Sequence, residues 1–136
     1  GLCRCGNRGC LETFVSSQTV LDVVASSGRR VESVGDVVRE ALAGDPGCTR
    51  VITDTGRLIG GAVAQLCNAF NPELVVVGGE LARAEDLLLD PVRDAVQRYA
   101  VRGCVSGLRI ATAQLGARAH LTGALIRARA ETSLPV

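Results

Sequence analysis

Asn71-Pro72-Glu73-Leu74-Val75-Val76-Val77-Gly78-Gly79 is the stretch whose reading decides the fold class. Asn71-Pro72 breaks the preceding helical pattern, and four apolar residues follow, three of them β-branched. Such a run predicts a strand over 74–77 that is buried on both faces, as in a parallel sheet. The strand leads straight into a glycine pair. At the carboxyl end of a buried strand, missing Cβ atoms let the backbone approach a phosphate or a ring. Gly78 and Gly79 are therefore candidate cofactor-binding residues, with a ligand-free tight turn as the alternative.

Helical patterns flank this strand on both sides, so the chain reads as α/β and helix-rich. Toward the C-terminus, Asp86 to Tyr99 predicts an amphipathic helix with Leu88, Val92, Ala95, Val96 and Tyr99 inward and Pro91 near its start. Gly103 to Gly107 reads as loop and Leu108 to Thr112 as a second strand. Gly116 opens a last helix through Ala130, striped by Ala117, Leu121, Ala124, Leu125 and Ala128. An irregular tail begins at Thr132.

Toward the N-terminus, a long helix is predicted from about Thr49 or Asp54 to Phe70, with Leu58, Ile59, Ala62, Val63, Leu66, Cys67 and Phe70 as its apolar face. Gly60 and Gly61 inside it cost about 1 kcal/mol each relative to Ala, which points to close approach of another backbone or a ligand. Ser33 with Asp36 has the form of a capping box ahead of Val34, Val37, Val38, Ala41 and Leu42, and Gly44-Asp45-Pro46-Gly47 stops that helix. Before it come a first turn with Leu11, Phe14 and Val15, a re-cap at Ser16-Ser17, and an apolar face of Val20, Val23 and Val24. Ser26 to Arg30 reads as an exposed turn.

The chain begins with a different kind of signal, Cys3-Arg4-Cys5-Gly6-Asn7-Arg8-Gly9-Cys10-Leu11-Glu12. Gly6 and Gly9 let the backbone turn tightly enough for Cys3, Cys5 and Cys10 to converge on one metal ion. A Cys3–Cys5 disulfide would be strained, whereas pairing of Cys10 with Cys3 or Cys5 is the alternative in an oxidising compartment. Structural zinc wants four ligands, and the motif offers three. Cys48, Cys67 and Cys104 are widely spaced and read as reduced, structural thiols. His120, on the last helix, reads as a half-exposed helix residue and not as a ligand.

Composition bounds the partners. The chain has 136 residues, enough for one domain or part of a larger one, and 47% hydrophobic content with only 2% aromatic, so its core must be aliphatic. A net charge of +1 argues against a nucleic-acid surface. All basic residues are arginine. No apolar run approaches the roughly 20 residues of a membrane span, and no signal segment opens the chain, so a cytoplasmic protein is expected.

Cys-x-Cys-Gly-x-x-Gly-Cys-x-Glu over 3–12 resembles the signature of the ROK family of repressors, open reading frames and sugar kinases. The 71–79 stretch is similar to that family's strand and glycine pair near its nucleotide pocket, and Leu115-Gly116 to Gly123-Ala124 to its terminal helix. The resemblance implies the C-terminal portion of an actin-like ATPase (ribonuclease H-like) domain. Its parts would be a zinc knuckle over 3–12, a helical segment over 13–70, the strand, glycine pair and terminal helices over 71–130, and a tail over 131–136. It further implies structural zinc on Cys3, Cys5 and Cys10, a fourth histidine ligand before Gly1, and Glu12 on a sugar. A homo-oligomer is expected too, with DNA bound only through a separate N-terminal domain.

The phosphate loop and catalytic aspartate of the family's kinases have no counterpart here, so no catalytic residue is assigned and ATP is expected only if the parent is a kinase. The helix-turn-helix of its repressors is likewise not in the chain. The knuckle sequence and Gly-Gly-Glu-Leu resemble the regulator branch, since kinases more often carry a third glycine at the position of Glu80. A sugar-sensing part of a repressor is thus the expected function. A glucokinase-like kinase is the alternative, and a stand-alone zinc-stabilised interaction module is a third reading. With two strands only, an unpaired edge is expected beside Leu74–Val77, giving self-association or a need for further strands.

Overall fold

Side-chain caps set the starts of three helices. In the computed structural model, which describes residues 1–132 apart from the Ala117 side chain, the Ser16 hydroxyl accepts from the Thr19 N–H and separates α1 (Glu12–Val15) from α2 (Ser17–Ser26). The predicted capping box opens α3 (Val34–Leu42), with Ser33 and Asp36 bonding each other's backbone N–H groups. Asp45 then accepts from the Cys48 N–H, with Pro46 at the first helical position, so α4 runs over Pro46–Phe70. The sequence predicts a later start for α4. Asp45-Pro46 both ends one helix and starts the next, whereas only its stopping role shows in the pattern.

After α4 come β1 (Leu74–Val77), a 3-10 turn (Leu81–Ala84), α5 (Asp86–Tyr99), α6 (Arg102–Val105), β2 (Arg109–Thr112), a second 3-10 turn (Gly116–Arg118) and α7 (Ala119–Thr132). The predicted loop over 103–107 is in part the short helix α6, and Cys104 N–H donates to the Val101 carbonyl within it. The tail expected from Thr132 lies outside the described residues from 133 on.

One core joins α2, α3, the start of α4, the turn before α5 and the start of α5, through Val20, Val24, Val37, Val38, Ile52, Ala84 and Leu88. A second joins the end of α4 to α5 through Val63, Ala64, Cys67, Val92 and Val96, with Val75 and Ile110 of the strands laid on it. α4 and α5 approach closely because Gly56 and Gly60 present no side chain. A Cβ on Gly56 would stand 2.7 Å from the Leu88 carbonyl oxygen. The expectation of a close backbone approach holds at Gly60, while a Cβ on Gly61 would meet nothing within 4 Å.

β1 and β2 are parallel, with Val75 opposite Ile110 and Val77 opposite Thr112. Their exposure alternates: Val75 and Val77 face the helices, whereas Leu74 and Val76 are exposed. This corrects the expectation of a strand buried on both faces, since among the described residues helices cover only one side of the sheet. The two flanks of the sheet also differ. Arg109 and Ala113 N–H groups donate to the carbonyls of Glu73, just before β1, and Val77, at its end, which turns the backbone groups of Ile110 to the opposite flank. There Arg93 of α5 donates to the Ile110 carbonyl at 3.3 Å.

Several predicted stripes are apolar but not covered. Leu58, Leu66 and Phe70 of α4, Val23 of α2, Leu42 of α3 and Tyr99 of α5 are exposed. Among the described residues, α7 buries none, and its Leu121, Leu125 and Ile126 are exposed. Periodicity reports which face is apolar, and the described part of this chain supplies no element to lie on these faces. No helix among the described residues is long and apolar enough to cross a membrane.

Candidate metal centre and its neighbouring cleft

The segment 2–8 folds back on itself. Leu2 and Arg8 form an antiparallel bridge, Cys3 N–H donates to the Asn7 carbonyl at 2.8 Å, and Gly6 N–H donates to the Cys3 carbonyl at 2.9 Å. Gly6 and Gly9 take φ of +86° and +75°, a left-handed backbone that glycine adopts without strain. This hairpin brings the sulfurs of Cys3, Cys5 and Cys10 within 4.8 Å of one another, with Cys5 and Cys10 Sγ at 3.5 Å. Three thiolates bound to one tetrahedral zinc at ~2.3 Å would lie about 3.8 Å apart, so the donor set and its spacing fit that metal. A hydrogen bond from the Asn7 backbone, then the Cys10 thiol, holds the Cys5 thiol below its ordinary range, and the shared bond with Cys5 pushes Cys10 up.

The knuckle is tied to α1 by hydrogen bonds. Thr13 donates to the Cys10 carbonyl through both its N–H at 3.0 Å and its hydroxyl at 2.7 Å. Glu12, the first residue of α1, is thereby held next to the sulfur cluster. It lines an open cleft of about 610 Å³ together with Cys3, Arg4, Thr13 and the polar run Ser16-Ser17-Gln18-Thr19. The sequence pattern gives Ser16 and Ser17 a capping role alone, and gives Arg4 and Gln18 no part. The signal that marks them is four hydroxyl or amide residues in a row directly after a short helix.

Gly78 and Gly79 lie at the carboxyl ends of the parallel strands, in a separate cleft of about 290 Å³ lined also by Arg83, Glu85, Thr112, Ala113 and Gly116. Gly79 takes φ of +100°, so the turn itself requires a glycine there, while a Cβ on Gly78 would meet only Ala113 at 3.6 Å. Glu80 does not line this cleft. Its carboxylate leans on the first turn of α3, where a Cβ on Gly35 would stand 2.9 Å from Glu80 Oε1. The acidic side chain on the cleft wall is Glu85, which no local sequence pattern marks.

The remaining candidates fall elsewhere. Cys48 and Cys67 are buried, and burial is the main cause that pushes both thiols up. Cys104 is half-buried, and His120 is exposed on α7. Among the described residues, Cys3, Cys5 and Cys10 are the group of histidine, cysteine and acidic side chains placed to share a metal.

The ROK family matches residues 1–131. A glucokinase of Halalkalibacterium halodurans is 33% identical over 136 residues, covering 89% of this chain and 41% of that protein. A solved ROK family transcriptional regulator, a homologue of the E. coli MLC protein, superposes with a TM-score of 0.77 at 31% identity over 82% of this chain and 31% of its own. A solved ROK family glucokinase from Streptomyces griseus, in complex with glucose and AMPPNP, gives 0.78 at 25% identity over 94% and 47%. The chain spans about a third to a half of the length of these relatives. Its helix-rich α/β architecture is shared with both their regulators and their sugar kinases. With nearly its whole length matched, this chain belongs to the ROK family.

Proposed function

We propose that this chain is the sugar-sensing C-terminal part of a cytoplasmic, homo-oligomeric ROK-type transcriptional repressor. The effector is a sugar or sugar derivative bound beside a structural zinc. The observation that carries this reading is the cleft itself, which joins the sulfur hairpin to Glu12 and to four hydroxyl or amide side chains. Adjacent hydroxyls of a polyol are donors, and one carboxylate accepts two of them. Cys3, Cys5 and Cys10 would hold zinc, whose contribution is to fix the hairpin. The Cys10 carbonyl in turn anchors Thr13, the neighbour of Glu12, at the start of α1. DNA contact belongs to a separate domain.

The glycine-lined cleft at the strand ends favours a second reading, an ATP-dependent sugar kinase with Gly78 and Gly79 at the nucleotide. Glu85 on that wall disfavours a polyphosphate, which supports the regulator. Assay of the full-length gene product distinguishes the two. Operator binding released by a sugar supports the repressor, and ATP-dependent phosphorylation of a sugar overturns it in favour of the kinase. Neither activity would leave a zinc-stabilised interaction module.

A further inference from the structure

The three knuckle sulfurs are not equivalent. Cys3 is 9% exposed and held by backbone hydrogen bonds on both its N–H and its carbonyl. Cys5 is exposed, Cys10 is half-buried, and their sulfurs are 3.5 Å apart. A disulfide needs those atoms at about 2.05 Å, a shift of roughly 1.5 Å. The backbone between them contains Gly6 and Gly9, and a Cβ at either would meet nothing within 4 Å, so the loop has room to make it.

We infer that Cys5 and Cys10 form an oxidative modification site, a pair that peroxide converts to a disulfide and so strips from the metal. Regulation of the sugar cleft by this route rests on the function proposed above. The Cys5 thiolate attacks one oxygen of hydrogen peroxide. An S–O bond forms as the O–O bond breaks, and the departing oxygen leaves as hydroxide and becomes water. The Cys10 thiolate then attacks the sulfenic sulfur of Cys5. The S–S bond forms, the S–O bond breaks, and the second oxygen leaves as hydroxide, which becomes water by taking up a proton released when the thiols ionised. Two thiols lose two electrons and two protons, and one peroxide becomes two waters. Cys3 is left as the single sulfur donor, too few to keep zinc. Both hydrogen bonds of Thr13 to the Cys10 carbonyl lie on the segment that moves, next in sequence to Glu12.

The sequence supplies its own assay, because Arg4 and Arg8, both exposed, separate the three cysteines for trypsin. The full-length gene product is exposed to hydrogen peroxide while zinc release is followed with a chromogenic chelator, and is then digested without reduction. One zinc should leave for every two thiols lost, with the peptides Cys5–Arg8 and Gly9–Arg29 joined by a bond that dithiothreitol cleaves. Cys10→Ser should abolish the link and leave Cys5 as a sulfenic acid trapped by dimedone. Cys3→Ser, even without bound metal, should still form it. A link that involves Cys3, or all three thiols surviving peroxide that oxidises Cys104, overturns the inference. A protein isolated without zinc would remove the structural-zinc reading, while the peptide map would still decide whether Cys5 and Cys10 pair.

Discussion

Gly60 of α4 sits against Val92 of α5 so closely that a Cβ on Gly60 would stand 2.7 Å from the Val92 carbonyl oxygen and 2.6 Å from the Ala95 Cβ. Neither neighbour is the far end of a flexible side chain. Gly60→Val should therefore push the helices apart and destabilise the chain by about 1–3 kcal/mol, as overpacking does. Gly61→Ala, one residue on and facing open space, should be neutral or slightly stabilising. Denaturant unfolding of both variants tests the pair, and equal losses would show that the close approach is not what glycine serves here.

Glu12→Gln keeps the size of the side chain and removes its charge. In the full-length protein it should weaken sugar binding by about 1–3 kcal/mol, the range for a hydrogen bond to a charged partner. The thermal midpoint should hardly move, because Glu12 is exposed and heads a four-residue helix. Calorimetric titration with the effector measures the first and a melting curve the second. Unchanged affinity would take Glu12 out of the site.

Acid should weaken the helix starts. Arg39 first, then the Ser33 hydroxyl, holds the Asp36 carboxyl at about 2; the Cys48 N–H first, then Arg29, holds Asp45 at about 2. Both values lie below those of the unfolded chain, about 4, so folding favours the charged forms. The stability they contribute is complete above about pH 4 and is lost as pH falls toward about 2. The melting midpoint should drop across that window, and the Asp36→Asn, Asp45→Asn double variant should show a shallower drop.

If zinc sits on Cys3, Cys5 and Cys10, each thiolate carries part of its binding, so Cys5→Ser should yield the metal to a mild chelator more readily than the unsubstituted protein. His120 is exposed on α7, outside the sulfur cluster, and His120→Ala should leave zinc affinity unchanged. Tight stoichiometric zinc that disappears with this substitution would make His120 the fourth ligand.

What the sequence shows most clearly is what neighbours in the chain decide among themselves. The Ser33 and Asp36 capping box and the bounds of α5 at Asp86 and Tyr99 appear where they are predicted, and the Cys3, Cys5 and Cys10 sulfurs converge. Each depends on residues a few positions apart. What covers an apolar face depends on distant chain, and here periodicity misplaces Leu58, Leu66, Tyr99, Leu121 and Leu125, all exposed. The direction of Glu80 belongs to the same class: its contact is Gly35, 45 positions earlier, and no local pattern predicts it. The cleft residues Ser16 to Thr19 are hidden for another reason, because a serine that caps a helix shows one role and conceals a second.

Arg93 makes the small sheet directional. Its guanidinium stands at the outer flank of β2, on the Ile110 carbonyl, and is itself anchored by Asp86 and Asp90. A newcomer on that side would have to displace an ion-paired arginine before it could donate to the same oxygen. On the other flank, β1 pairs with no strand among the described residues. A further strand joining beside β1 would meet no such ion pair, so the arginine biases any lengthening of the sheet toward Leu74–Val77.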